Sequence, residues 1–345
     1  MNRILKTSLV LLSCLVFIEC KKEDVPEPLP MVPYAEQYPY DIADIEKFME
    51  KHYMEVDANQ NVTFFEIPVD NTAGVQSIAD QTEYPIEYKM VNSNGVDYKV
   101  YYINITKKSG SPYDPNYYGE NLSPTRVDEV FVTYKGTLAR KIYDDDDSNN
   151  KVVTFDEIAS PQWFPLDGVV QGWGEIFTKF KSGTFVSNNP DGTVSFKDYG
   201  AGIMFLPSGL AYYSGFRGLI PSYAPLIFNF KLMQTKFADH DGDGILSKDE
   251  DLNGNGIYTD DDTDGDGRQN YLDKDDDGDN VLTKVETSYV NPADPDKIVR
   301  YYPYNGAAVD DLSTPYVDET KGIPSCSGDF ITSTRLRKYL DKNCQ

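Results

Sequence analysis

Residues 130–138 read Val-Phe-Val-Thr-Tyr-Lys-Gly-Thr-Leu, and residues 164–173 read Phe-Pro-Leu-Asp-Gly-Val-Val-Gln-Gly-Trp. In the first stretch Val130, Val132 and Tyr134 recur at every second position, which puts them on one face of a half-buried strand. The second leads into a helix of about two to three turns, because Trp173, Ile176, Phe177 and Phe180 follow i, i+3, i+4, i+7 spacing before Ser182-Gly183 stops it. Farther out, Val96, Tyr98, Val100 and Tyr102 alternate on the N-terminal side, and Leu226, Phe228, Phe230 and Leu232 on the C-terminal side. Residues 108–126, rich in Gly, Ser, Pro, Asn and Tyr, read as a loop. Together these patterns predict an α+β domain, an antiparallel sheet wrapped on one short helix.

The same residues carry a resemblance. Val132 to Leu138, the Phe155-Asp156 pair, Phe164-Pro165-Leu166 and the run Val169 to Trp173 resemble, in order, segments of the FKBP family of peptidyl-prolyl isomerases. Ala211-Tyr212, Leu219-Ile220-Pro221 and Leu226-Ile227-Phe228 continue that order, so the resemblance covers residues 127–236. Tyr143-Asp144 competes for the Phe-Asp role, with Phe155-Asp156 preferred for its spacing to Phe164. Tyr213 stands where the family has glycine, and one extra residue separates Pro207 from Ala211.

The resemblance implies a pocket floored by Trp173, with walls from Tyr134, Phe155, Phe164, Val169, Val170, Ile220 and Phe228. It further implies that the Tyr212 hydroxyl and the Val170 N–H hold substrate carbonyls while Asp156 orients the polar edge. Taken singly, Tyr134, Phe164 and Phe228 fit core packing as well as a pocket. Such a site needs no catalytic cofactor. An X-Pro amide resists rotation by about 18–20 kcal/mol through resonance, and a twisted amide is less dipolar, so an apolar cleft favours it. The expected activity is prolyl isomerisation of exported, proline-containing proteins; the alternative is a fold that holds proline segments as a chaperone without turnover.

The acidic residues downstream point to a different chemistry. Asp239-x-Asp241-x-Asp243-Gly244-Ile245-x-Ser247-x-x-Glu250 matches the twelve-residue EF-hand loop at each ligand position, with Ile245 offering a backbone carbonyl. A second copy runs Asp251, Asn253, Asn255, Ile257 to Asp262, and a third Asp262, Asp264, Asp266 to Asp273. The fourth runs Asp275, Asp277, Asp279 to Glu286, with Asn280 in the glycine position. Loop starts 12, 11 and 13 residues apart leave no room for paired helices, and the array resembles thrombospondin type 3 repeats, which implies shared acidic ligands around a string of calcium ions. Residues 239–286 hold 17 carboxylates against four Lys and Arg, so without a cation the segment is expected to repel itself. Calcium is therefore expected as a structural cofactor in an irregular repeat segment spanning 237–290.

The whole chain carries a net charge of −24 with no basic run, which argues against nucleic acid as a partner. Arg3 and Lys6 precede an apolar run, Ser8 to Ile18, too short to span a bilayer and closed by Cys20. That resembles a bacterial lipoprotein signal over residues 1–19, with Cys20 lipidated and an outer-membrane anchor implied, periplasmic or surface-exposed. Glu19 is unusual there, and Leu12-Ser13-Cys14 is the competing site. Removal of Cys14 and lipidation of Cys20 leave Cys326 and Cys344, an even pair expected to form a disulfide in an oxidising compartment. Residues 20–44 are expected to be an extended tether and 45–126 an N-terminal extension whose helix carries Ile45, Phe48, Met49, His52 and Tyr53. Residues 291–345 read as a C-terminal tail.

Overall fold

A six-stranded antiparallel sheet organises the protein. The computed structural model describes residues 30–107, 122–140 and 152–344. The chain divides into Met1–Val32 and Pro33–Gln345, and all of the described secondary structure lies in the second unit. Cys20 and the alternative pair Tyr143-Asp144 lie outside the described residues.

Helix α1 (Tyr34–Lys51) leads into a hairpin of β1 (His52–Val56) and β2 (Val62–Glu66). Then come β3 (Ile86–Ser93), β4 (Val96–Asn104), β5 (Glu129–Leu138), β6 (Thr154–Pro165) and the short helix α2 (Gln171–Phe177). A hairpin of β7 (Thr184–Asn188) and β8 (Val194–Lys197) precedes β9 (Gly200–Leu206) and β10 (Leu226–Lys236). The main sheet has the order β3-β4-β9-β10-β5-β6, with every neighbouring pair antiparallel.

Alternation sorts the strand residues into two cores. Tyr98, Val100, Val130, Val132, Met204, Leu206, Phe228 and Phe230 face α2, packing on Trp173, Ile176, Phe177 and Phe180. Their sequence neighbours Ile103, Ile203, Phe205 and Ile227 point the other way, onto Ile45, Phe48 and Met49 of α1. Both faces of the central strands are covered, which is why β9 is buried along its whole length.

The structure departs from the expected boundaries. The segment expected as a tether up to residue 44 is helical from Tyr34. Its inward positions Gln37, Asp41 and Ile45 repeat every fourth residue, but the first two are polar, so hydrophobic periodicity misses that stripe. At the other end His52 and Tyr53 belong to β1; His52 stays buried, stacked on Phe48 with its Nδ1 2.9 Å from the Phe48 carbonyl oxygen. Residues 86–104 are not peripheral to the isomerase-like domain, because β4 bonds directly to β9 within its sheet.

Downstream of β10 the chain coils through short turns, one helical turn α3 (Thr283–Glu286), and a small hairpin of β11 (Ser288–Val290) and β12 (Val299–Tyr301). Residues expected as a tail fold onto this segment: Ile323 and Tyr339 bury Ile245, and Cys326 and Cys344 are joined as a disulfide with Cα atoms 5.3 Å apart. Among the described residues no helix is long and apolar enough to cross a membrane.

Candidate functional site: an aromatic pocket and an acidic loop array

Strands β5, β6 and β10 and the start of α2 enclose a cavity of about 410 Å³. Nine of the ten residues expected at the isomerase site line it: Tyr134, Phe155, Asp156, Phe164, Val169, Val170, Trp173, Tyr212 and Phe228. Gly168, Gln171 and Ala211 complete the wall. Ile220 is not among the lining residues; it is buried in the core cluster that also holds Trp173 and Phe228.

Trp173 comes from the first turn of α2 and is 3% exposed. Its indole is hemmed edge-on by Tyr134 at 5.0 Å, Phe164 at 5.6 Å, Phe177 at 5.3 Å and Phe228 at 5.3 Å between ring centres. Edge-to-face contacts of this kind fix ring orientation as well as bury area. Gly136 has a steric reason: a side chain there would run into the Phe155 ring across the β5–β6 pairing. The indole Nε1 is buried without a hydrogen-bond partner.

The polar edge is small. The Tyr134 hydroxyl donates to Asp156 Oδ2 at 2.5 Å; burial first, and then this bond to a carboxylate, push the Tyr134 phenol above its ordinary pKa. Tyr212 stands at the mouth, 40% exposed, with the Arg217 guanidinium 5.9 Å from its ring centre.

The loop that bears Tyr212 is fixed from outside the pocket. Asp41 of α1, wholly buried, accepts the Ser208 N–H at 2.7 Å and the Ser208 hydroxyl at 2.6 Å. Tyr213 adopts φ +50°, the left-handed conformation for which glycine is suited. Its ring stacks on Tyr34 of α1 at 3.9 Å and meets Tyr223 edge-on at 5.1 Å, contacts a glycine could not make. This anchoring by α1 is not visible in the sequence, since Asp41 and Ser208 lie 167 positions apart.

The acidic array repeats one geometry four times. The first-position carboxylates Asp239, Asp251, Asp262 and Asp275 accept the N–H of Gly244, Gly256, Gly267 and Asn280 respectively. The fifth-position side chains Asp243, Asn255, Asp266 and Asp279 accept the N–H two residues on, at 2.6–2.7 Å. Positive φ occurs at Gly244, Gly256, Gly267 and Asn280, and again at Gly242, Gly254, Gly265 and Gly278. This second glycine series is a sequence signal that the twelve-residue template does not use.

Three first-half triads bring carboxylate oxygens together: Asp239, Asp241 and Asp243; Asp262, Asp264 and Asp266; Asp275, Asp277 and Asp279. In the second loop Asn253 donates to Asp261 at 3.2 Å and to Asp260 at 3.4 Å. Oxygens of Asp241, Asp243, Glu250, Asp275, Asp277, Asp279 and Glu286 are buried without hydrogen-bond partners. Desolvation, then neighbouring carboxylates, push Asp241 up to about 7, Glu250 up to about 10 and Glu286 up to about 8. Buried, unpaired hard oxygens at this spacing fit a calcium ion. The array also touches the pocket domain: His240 Nε2 lies 3.2 Å from Asp167, two residues before Val169, and the Ala238 N–H donates to Asp128 at 3.1 Å.

The chain is similar to known isomerases. It is 32% identical over 136 residues to the FKBP-type peptidyl-prolyl cis-trans isomerase FkpA of Aeromonas hydrophila, covering 39% of this chain and 42% of that protein. It is 29% identical over 132 residues to the peptidyl-prolyl cis-trans isomerase Mip of Coxiella burnetii, covering 38% and 47%. The chain thus spans less than half the length of these curated relatives. Among solved structures, a peptidyl-prolyl isomerase from Pseudomonas syringae pv. tomato matches 60% of this chain and 98% of that one at 16% identity and a TM-score of 0.31. FkpA from Escherichia coli matches 59% and 62% at 21% identity, again with a TM-score of 0.31. A family model described as BamM C-terminal matches residues 240–316.

Proposed function

We propose that this protein is an FKBP-type prolyl isomerase of the bacterial cell envelope, acting on proline-containing segments of exported proteins and stiffened by a calcium-binding array. The observation that carries the reading is the open, ring-lined cavity over Trp173, formed by residues whose order resembles the family.

In the proposed mechanism the prolyl ring sits on the Trp173 indole, walled by Tyr134, Phe164 and Phe228. The apolar walls exclude water from the amide, so the twisted, less dipolar geometry is favoured over the planar one. Tyr212 at the mouth holds a substrate carbonyl, and the Val170 N–H holds another. Tyr134, held by Asp156, keeps the polar edge in one orientation. No covalent intermediate forms.

In the array, Asp239, Asp241, Asp243 and Glu250 would hold one calcium ion, and the later loops further ions, each neutralising carboxylates that otherwise repel. The disulfide supports an oxidising compartment, and the lipid anchor at Cys20 is part of the same proposal. A second reading, binding without turnover, is favoured by one departure, Tyr213 in place of glycine beside Tyr212.

The test is isomerisation of a short X-Pro peptide by the calcium-loaded full chain and by Trp173→Leu. Turnover in the first and its loss in the second is expected. No turnover, with tight binding of the same peptide, would favour the second reading.

A further inference from the structure

Asp276 lies outside every assigned ligand position of the array. In the first three loops the second position holds His240, Leu252 and Thr263; in the fourth it holds Asp276. The first three of these cannot supply a carboxylate, and Asp276 does not face its own loop's triad of Asp275, Asp277 and Asp279.

It faces the first loop instead. Carboxylate oxygens of Asp243, Glu250 and Asp276 lie within 4.8 Å of one another, and each residue is only 2% exposed. Both oxygens of Glu250, Oδ2 of Asp243 and Oδ1 of Asp276 are buried with no hydrogen-bond partner. Among the described residues no ion pair joins any of the three. The other oxygen of Asp276 is accounted for, since the Thr283 hydroxyl donates to Oδ2 at 2.6 Å. That bond fixes the carboxyl plane and leaves Oδ1 for the centre.

We propose that Asp276 completes a further cation centre with Asp243 and Glu250, which it shares with the ion of the first loop, so that the fourth loop is tied to the first. The proposal rests on reading the loops as cation sites, but loop spacing alone would never pair the loops that open at Asp239 and Asp275. Three desolvated carboxylates without a counter-charge are strongly unfavourable. Three anionic oxygens and no nitrogen or sulfur donor select a hard divalent cation, calcium above magnesium because ligands from separate segments suit its irregular, larger coordination sphere better than a strict octahedron. Such an ion takes the place of a hydrophobic core where the array closes. The C-terminal segment seals the same region, with Tyr339 wholly buried against Ile245, and Lys284 Nζ reaching the Gly242 carbonyl at 3.0 Å adds a second link between the two loops.

The full chain and Asp276→Asn are titrated with calcium, counting bound ions by native mass spectrometry and affinity by calorimetry. Asp276→Asn keeps the size of the side chain and should fold. The expected result is one calcium fewer, or one site weakened by at least about tenfold, together with faster proteolysis between residues 240 and 290 at limiting calcium. Equal numbers and affinities in the two proteins would overturn the centre while leaving the loop reading intact; a wild-type chain that binds no calcium would overturn both. Should Asp276→Asn fail to fold, Thr283→Val decides: it removes only the bond that orients Asp276, and unchanged titration there refutes the proposal.

Discussion

Replacing Asp41 by alanine should weaken both the fold and the pocket, and the two effects can be measured separately. The carboxylate accepts three bonds, from Gln37 Nε2 at 2.7 Å and from the Ser208 N–H and hydroxyl at 2.7 and 2.6 Å, in a wholly buried position. Alanine strands the buried Ser208 donors, at about 1–3 kcal/mol each. The loss is partly offset because burial raises the pKa of Asp41, so the native fold also carries the cost of a desolvated charge. A net loss of about 2–4 kcal/mol results, which corresponds to a Tm lower by roughly 5–15 °C in a unit of this size. The pH dependence has a definite sign. Because burial holds the folded-state pKa above the ordinary carboxylate value, the native state binds the proton more tightly, and wild-type stability contributed by this group is lost as pH rises through the folded pKa. Asp41→Ala lacks that slope, so the gap between the two proteins is widest in acid and narrows toward neutrality. Thermal unfolding at a series of pH values reads this directly. Turnover on an X-Pro peptide reads the rest: Ser208 opens the turn that delivers Ala211 and Tyr212 to the pocket, and misplacing them is expected to lower kcat/KM by on the order of 10- to 100-fold. A variant with unchanged Tm and unchanged kcat/KM would show that α1 does not position the loop.

Tyr212→Phe should reduce turnover on the order of tenfold with Tm unaltered, because the ring stays and only a partly exposed hydroxyl at the mouth is lost; equal turnover would remove Tyr212 from the site. Chelation should make residues 237–290 protease-sensitive while the sheet resists, since the array holds few apolar contacts of its own; identical digestion patterns with and without calcium would reject a structural role for the ion. Cys326→Ser opens a link across 18 positions and should cost about 3 kcal/mol of stability in the C-terminal segment, read as earlier unfolding without any change in isomerase turnover.

Much of the pocket is legible in the sequence because its residues obey short-range rules. Tyr134 sits on a period-two strand, Trp173 on a helical face, and Phe155 opposite a glycine whose missing side chain it needs. The four loops are legible for the same reason: each ligand set lies within a stretch of about twelve residues. What escapes is non-local and polar. Gln37 and Asp41 continue the inward stripe of α1, but no hydrophobicity pattern shows them, and the Ser208 partner of Asp41 is 167 residues away. Asp276 escapes in the same way, as its carboxylate lies with Asp243 and Glu250 of the first loop and not with its own triad. Ile220 has the right order in the chain and is buried with Trp173 and Phe228, but is not among the residues lining the cavity.

These missed polar residues share a physical role that bears on how the two modules work as one protein. Under the proposed mechanism, a pocket that favours a twisted amide through an apolar environment depends on walls that do not yield as well as on the few contacts that hold the substrate carbonyls. Here two loops of the pocket are supported from outside it. Helix α1 grips the Tyr212 loop through Asp41 and Tyr34, and the array grips the loop before Val169 through His240 and Asp167. The first support is a buried hydrogen-bonded carboxylate that needs no cation. The second begins one residue after Asp239, the opening carboxylate of the first acidic loop. If the array binds calcium as proposed, the Val169–Val170 side of the pocket is where a difference between calcium-loaded and chelated protein is expected first, and equal turnover and protection there in both states would separate the array from the pocket.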